Sequence, residues 1–265
     1  MINERVRDHY DESLNYFSES NIVVCALQGS QNYKLDYENS DVDTKLIVVP
    51  SFKDICLNAK PVSTTHVRAN DEHTDWKDIR LYMETFRKQN LNLLEILFTD
   101  YYIVNPIYKD QWDRLICARE LIAHMNPYRA VKSMMGIMYE KYHAMEHPYP
   151  SKLDIIEKYG YDGKQVSHLL RVADYLQRYI NGESYKDCLI PSADLRPRIM
   201  DYKMLDKIPL EEARQEAVAI LDHMKIIAET FCANVPEEED KEMRDLLEDV
   251  SYNIMKIAVQ NELGS

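Results

Sequence analysis

Six glycines in 265 residues leave this chain few places where the backbone can turn sharply. Helix is the natural filler for such a sequence, and each glycine that is kept calls for a reason. The first, Gly29, follows Ile22-Val23-Val24-Cys25-Ala26-Leu27, an apolar run rich in β-branched residues that predicts a buried strand. Beyond the polar segment 30–40, Asp41 to Val49 predicts a second strand. It alternates charged with apolar residues in its first half, turns wholly apolar, and stops at Pro50. Weaker strands are expected at 62–67 and near 72–77.

Helical spacing of Val6, Tyr10, Leu14 and Phe17 predicts a helix over 3–19, and Asp78 is a fitting N-cap for another over 79–90. Leu93 to Phe98 suits a helix end or a strand, and Pro106 opens a helix through Arg119. After Asn126-Pro127, an N-cap with proline at the first helical position, the texture is all-helical. Helices are expected to about Glu146, from Asp162 to Asn181 with Gly182 past the end, over 209–231 and over 237–262. The expected fold class is α+β: a small mixed β-sheet lobe with flanking helices over 1–125, then an all-helical lobe over 126–265.

The composition, 45% hydrophobic and 29% charged, is that of a soluble globular chain. No run approaches the ~18–20 apolar residues that cross a bilayer, and the opening MINERVRDHY lacks a secretory signal's apolar stretch. A cytoplasmic protein with no membrane partner is the expectation. A net charge of −13 excludes a uniformly basic nucleic-acid binder, leaving room only for a local basic patch. The five cysteines are odd in number and widely spaced, which suits reduced packing thiols.

The chemistry concentrates in residues 27–49. Asp41 and Asp43 stand two positions apart at a strand start, so both project from one face. Neighbouring carboxylates repel, and a hard divalent cation, Mg²⁺ or Mn²⁺, relieves the repulsion. Gly29 lets a phosphate approach the backbone, and Ser30 adds a hydroxyl and an N–H. A phosphate cradle facing a carboxylate pair suits metal-assisted phosphoryl or nucleotidyl transfer. Lys45 shares the face of the two aspartates and is a competing counter-ion for them.

Gly29-Ser30-Gln31-Asn32-Tyr33-Lys34-Leu35, continuing to Ser40-Asp41-Val42-Asp43, resembles the G-S-x-x-Y-x-L…S-D-x-D signature of the DNA polymerase β-like nucleotidyltransferase superfamily. The likeness is to its predicted bacterial and phage branch. Lys34 departs from it, standing where glycine is common. Asn92-Leu93-Leu94-Glu95-Ile96-Leu97 is similar to that branch's N-x-L-E-x-L element. Gly160-Tyr161-Asp162-Gly163-Lys164 with His168-Leu169-Leu170-Arg171 is similar to its G-Y-D-x-K-x-x-x-H-L-x-R helix.

The resemblance implies an enzyme that moves a nucleoside monophosphate from an NTP, ATP foremost, to an acceptor hydroxyl on an RNA end, a protein or a small molecule. Asp41, Asp43 and a third carboxylate would serve as catalytic and metal-binding residues. Asp75 is the choice for the third, with Glu72 and Asp78 as rivals. The plain alternative for Glu72 is a solvated surface acid, and for Asp78 the helix cap already described. Gly29, Ser30 and Tyr33 would meet the nucleotide, and Lys164, His168 and Arg171, at i, i+4 and i+7, would offer it a cationic stripe. Two readings of other classes stand beside this one: a non-catalytic nucleotide-binding sensor, and a helical, antitoxin-like partner-binding protein.

Overall fold

The computed structural model describes residues 2–38, 40–204 and 207–264, so Met1, Asn39, Leu205, Asp206 and Ser265 lie outside the described residues. The fold class is α+β, a five-stranded mixed sheet with flanking helices and a separate all-helical region. The chain divides into two compact units. One comprises Met1–Met125 with Glu239–Ser265, the other Asn126–Glu238. The terminal helix therefore belongs with the sheet, not with the helical unit where its sequence neighbours suggested.

In the first unit, α1 (Ile2–Ser13) is followed by β1 (Ile22–Gln28), β2 (Asp43–Val48), α2 (Phe52–Cys56), β3 (Ser63–Val67) and β4 (His73–Asp78). Next come α3 (Ile79–Arg87), α4 (Leu91–Leu94), β5 (Tyr102–Val104) and α5 (Lys109–Ala123). The sheet order is β3-β4-β2-β1-β5, with β2 and β4 parallel and every other pair antiparallel. β1 is buried along nearly its whole length, which is why its sequence is continuously apolar.

One sheet face, carrying Cys25, Leu27, Val42, Leu46 and Val48, packs on Val6 and Tyr10 of α1. α1 ends sooner than its periodicity predicts. Past Ser13 the chain unwinds through turn bonds from Tyr16 N–H and Phe17 N–H to the Ser13 carbonyl. Both rings then reach Trp76, at 4.9 and 5.0 Å between centroids, which a continued helix would not allow for adjacent residues. β2 also starts two residues later than predicted, leaving Asp41 and Val42 before the ladder.

Asp78 caps α3 as expected, its side chain accepting from Arg80 N–H, and Ile79, Tyr82, Met83 and Phe86 bury one stripe of that helix. Residues 93–98 form the end of α4 and a 3₁₀ turn, not a strand.

The second unit holds α6 (Pro127–Ala144), α7 (Leu153–Tyr159), α8 (Gly163–Ile180), α9 (Tyr185–Leu189), α10 (Arg196–Lys203) and α11 (Leu210–Cys232). Asn126 and Asp162 cap α6 and α8 through their side chains. In the first unit, α12 (Lys241–Gly264) buries Met243, Leu247, Val250, Ile254 and Ala258 along one stripe. It is anchored by Arg114–Asp249 at 2.7 Å, while Arg87 holds Glu239 at 2.6 Å just ahead of it. No described helix is long and apolar enough to cross a membrane.

Candidate active site

Antiparallel pairing places Gln28, the last residue of β1, opposite Asp43, the first of β2. The Gly29-Ser30 turn and the Asp41-Val42 segment therefore leave and enter the sheet at the same end. Gly29 takes φ +99°, and its N–H donates to Glu95 Oε1 at 2.9 Å. The N-x-L-E-x-L element thus acts here by fixing the glycine with a buried carboxylate. The Ser30 carbonyl accepts from Tyr33 N–H and Leu35 N–H, winding residues 29–35 into a tight turn. Gln31 Nε2 donates to the Asp41 carbonyl at 2.7 Å, tying the two segments together.

Lys34 takes φ +55°, a left-handed conformation that favours glycine. The turn keeps the glycine-like geometry despite the different residue.

Below this turn lies a hub the sequence did not foretell. Glu72 is buried, and its Oε1 accepts from Val42 N–H, at 3.0 Å, and from Arg5. Its Oε2 accepts from His9 Nε2 at 3.0 Å, Arg68 at 3.1 Å and Asn70 Nδ2 at 2.8 Å. The backbone between Asp41 and Asp43 is therefore held by a buried carboxylate, and Arg5 also donates to the Ser40 carbonyl at 3.3 Å. Solvent exposure, the plain alternative for Glu72, is overturned. Arg68 and Asn70 are near neighbours, but Arg5, His9 and Val42 are remote in sequence, so local spacing did not mark Glu72 as buried.

His9 is fully buried, with Nδ1 2.9 Å from the hydroxyls of both Thr44 and Thr74. A carboxylate only accepts, so Nε2 carries the proton toward Glu72 and Nδ1 accepts from a threonine hydroxyl, while Thr44 Oγ1 donates to Thr74 Oγ1 at 3.3 Å. Burial, followed by the charge of Arg68, lowers the His9 pKa from 6.5 to about 4. A neutral histidine of this kind stabilises the fold above pH 6.5, and that stability is lost as pH falls toward about 4. At about 1.4 kcal/mol per tenfold displacement, the loss is roughly 3 kcal/mol. Urea unfolding midpoints are expected to fall between pH 6.5 and about 5, where ordinary carboxylates remain ionised. His9→Gln flattens that slope; an equal slope in both proteins would remove His9 as the cause.

The carboxylates divide by face. Asp41 is exposed, and its carboxylate has no protein partner among the described residues. Asp43 is half-exposed and accepts from His73 N–H at 3.0 Å. Asp75 lies opposite Lys45 in the parallel ladder, on the same face, and pairs with Lys45 Nζ at 3.0 Å. Thr65 Oγ1 donates to it at 2.6 Å and Gln28 Nε2 at 3.4 Å. Burial raises its pKa, but the charge of Lys45 and these hydrogen bonds outweigh burial and hold the carboxyl below its ordinary value. Glu72 and Asp78, at the other parity of β4, face away from this surface. Lys45 thus engages Asp75 and leaves Asp41 and Asp43 to other counter-ions.

Among the described residues, no three His, Cys, Asp or Glu side chains gather at metal-ligand distance. Mg²⁺, however, commonly takes only one or two carboxylates together with waters and substrate phosphates. The hard oxygen donors of Asp41 and Asp43 fit that requirement. The Ser30 hydroxyl likewise has no protein hydrogen bond among the described residues.

Two nucleotide-binding expectations change. Tyr33 is 6% exposed, so it packs inside the turn and is not open to stack on a base. Lys164, His168 and Arg171 belong to α8 in the second unit, and they do not form a uniform cationic stripe. Lys164 is exposed, whereas Arg171 is buried. Burial and then the charge of Arg171 push the His168 pKa well below 6.5, so its ring is neutral. No protein-family model matches the chain, and no curated protein matches it.

Proposed function

We propose that this protein is a metal-dependent nucleotidyltransferase that moves a nucleoside monophosphate from an NTP to an acceptor hydroxyl. The observation that carries this reading is the clamp between the Gly29-Ser30 turn and the Asp41-Val42-Asp43 segment. It holds a serine hydroxyl and a carboxylate that have no protein partner among the described residues, at one end of two paired strands. Ser30 would bind the β- and γ-phosphates, with Gly29 allowing their close approach. Asp41 and Asp43 would hold Mg²⁺ or Mn²⁺, which when bound supplies charge neutralisation for the triphosphate and the leaving pyrophosphate.

In the reaction, the acceptor oxygen forms a bond to the α-phosphorus. The bond from that phosphorus to the bridging oxygen breaks, and pyrophosphate leaves with the electron pair. Asp75, kept ionised by Lys45, would take the acceptor proton and pass it to solvent. ATP is the favoured donor.

The deciding experiment measures pyrophosphate release from each NTP, with Mg²⁺ or Mn²⁺, alone and with RNA or protein extract. Release that is abolished by chelation is expected, and the fraction that stimulates it names the acceptor class. The Lys45–Asp75 pair favours one rival, a nucleotide-binding sensor in which Asp75 never serves as a base. Nucleotide bound with no pyrophosphate released under any condition would select the sensor.

A further inference from the structure

A cleft of about 190 Å³ opens on the sheet face that carries Asp75, lined by Lys45, Ser63, Thr65, Asp75, Lys77 and Tyr82 among others. The register explains the set. Ser63 lies opposite Lys77 and Thr65 opposite Asp75 in the β3–β4 ladder, while Lys45 lies opposite Asp75 in the β2–β4 ladder. Alternation then turns these five side chains to one face. Tyr82 forms an apolar wall, its hydroxyl donating to the Leu93 carbonyl at 3.2 Å.

The charges in the cleft do not balance. Asp75 is matched by Lys45 at 3.0 Å. Lys77 is half-buried, 5.9 Å from the centre of the Tyr82 ring, and has no carboxylate partner among the described residues. Burial and the nearby charge of Lys45 lower the Lys77 pKa, with Asp75 opposing and Lys88 adding to the effect. A surplus ammonium in a partly desolvated cleft, within a chain of net charge −13, is a local site for an anion. The exposed β3 residues Ser63 and Thr65 put hydroxyls on its rim.

We propose that this cleft binds a hydroxyl compound carrying a phosphate, the phosphate at Lys77 and Ser63 and the hydroxyl toward Asp75. As the acceptor site, a role that rests on the nucleotidyl-transfer reading, it selects a phosphate-bearing acceptor. Its volume is below the ~300–1,000 Å³ of sites that enclose drug-sized ligands, so it suits one sugar phosphate, free or at an RNA end.

The test is calorimetric titration of the full chain, without NTP or metal, with inorganic phosphate, ribose, ribose 5-phosphate and a short 3′-hydroxyl oligoribonucleotide. Ribose 5-phosphate is expected to bind more tightly than ribose or phosphate. Lys77→Met keeps the aliphatic stem and removes the charge, so it should weaken binding about tenfold or more. Lys77→Arg should hold affinity within a few fold, and Lys132→Met on α6 should change nothing. Ser63→Glu, an exposed position that tolerates substitution, should also weaken binding and serves if Lys77→Met does not fold.

An oligoribonucleotide that binds at least as tightly, with affinity falling steeply in salt, identifies an RNA end. Preference for ribose 5-phosphate identifies a free small molecule. Absence of saturable binding of either phosphate compound, or unchanged affinity in folded Lys77→Met and Ser63→Glu, would overturn the proposal. Binding as expected with no pyrophosphate release under any condition would leave this anion site standing and sink the transfer reading alone.

Discussion

Asp41→Ala and Asp43→Ala should each lower NTP-dependent pyrophosphate release by more than the ~10–100-fold that loss of an outer-shell partner costs a metal site. Neither should unfold the protein. Asp41 is exposed and its carboxylate has no protein partner among the described residues, so its truncation should change stability within about 0.5 kcal/mol. Asp43 loses the bond from His73 N–H and the 3.3 Å contact with His73 Nδ1, together worth about 1–2 kcal/mol.

The two adjacent carboxylates also repel each other when no cation is bound, so removing either relieves the metal-free protein. Mg²⁺ should raise the thermal midpoint of the wild type in proportion to the logarithm of its concentration above Kd, and should do so far less in either variant. Asp75→Ala is a useful contrast. It leaves Lys45, which is 6% exposed, without its carboxylate, so activity and stability should fall together. Turnover unchanged in both Asp41→Ala and Asp43→Ala would end the nucleotidyl-transfer proposal. An equal Mg²⁺ stabilisation in the variants would move the metal elsewhere.

What could be read from the sequence was local. Alternation along Asp41-Val42-Asp43-Thr44-Lys45 determines which side chains share a face, and the fold keeps that division even ahead of the ladder, with Val42 and Thr44 buried and Asp41 outward. The caps at Asp78, Asn126 and Asp162 are equally local, each a side chain bonding an N–H two or three residues ahead. Non-local determinants were illegible. β5 is three residues long and exists because it pairs with the middle of β1, across a large part of the first unit's sequence. The return of α12 to the first unit leaves no mark in its own periodicity, since an amphipathic stripe does not name the surface that covers it. Tyr33 has the spacing of a pocket residue, but only the folded turn shows that it packs inward. Glu72 is the clearest case: its position one residue ahead of β4 suggests its parity, while its partners Arg5 and His9 come from the first helix.

Those partners make Glu72 the position where a single substitution should cost the most stability. Removing one member of a buried charged network typically costs about 3–5 kcal/mol, because the remaining charges stay desolvated. Glu72→Ala strands Val42 N–H, His9 Nε2–H and Arg68 together, and Arg68 is itself mostly buried. At about 2–4 °C per kcal/mol for a chain of this size, the thermal midpoint should fall by roughly 6–20 °C.

Glu72→Gln should be milder, since one amide oxygen can still accept from Val42 N–H while the arginines lose their counter-ion. Arg5→Ala should cost less again, because the Arg5 side chain is 39% exposed and water replaces part of what is lost.

The local consequence separates positioning from bulk stability. Val42 lies between the two aspartates, so a loosened Val42 N–H loosens both carboxylates. At a temperature where Glu72→Gln is fully folded, its Mg²⁺-dependent rise in midpoint should be smaller than the wild type's. Its turnover number should drop, with less change in KM for the NTP. A folded Glu72→Gln with wild-type metal response would reduce Glu72 to a structural residue, and a midpoint loss below about 2 °C in Glu72→Ala, less than 1 kcal/mol, would show that the buried hub contributes little.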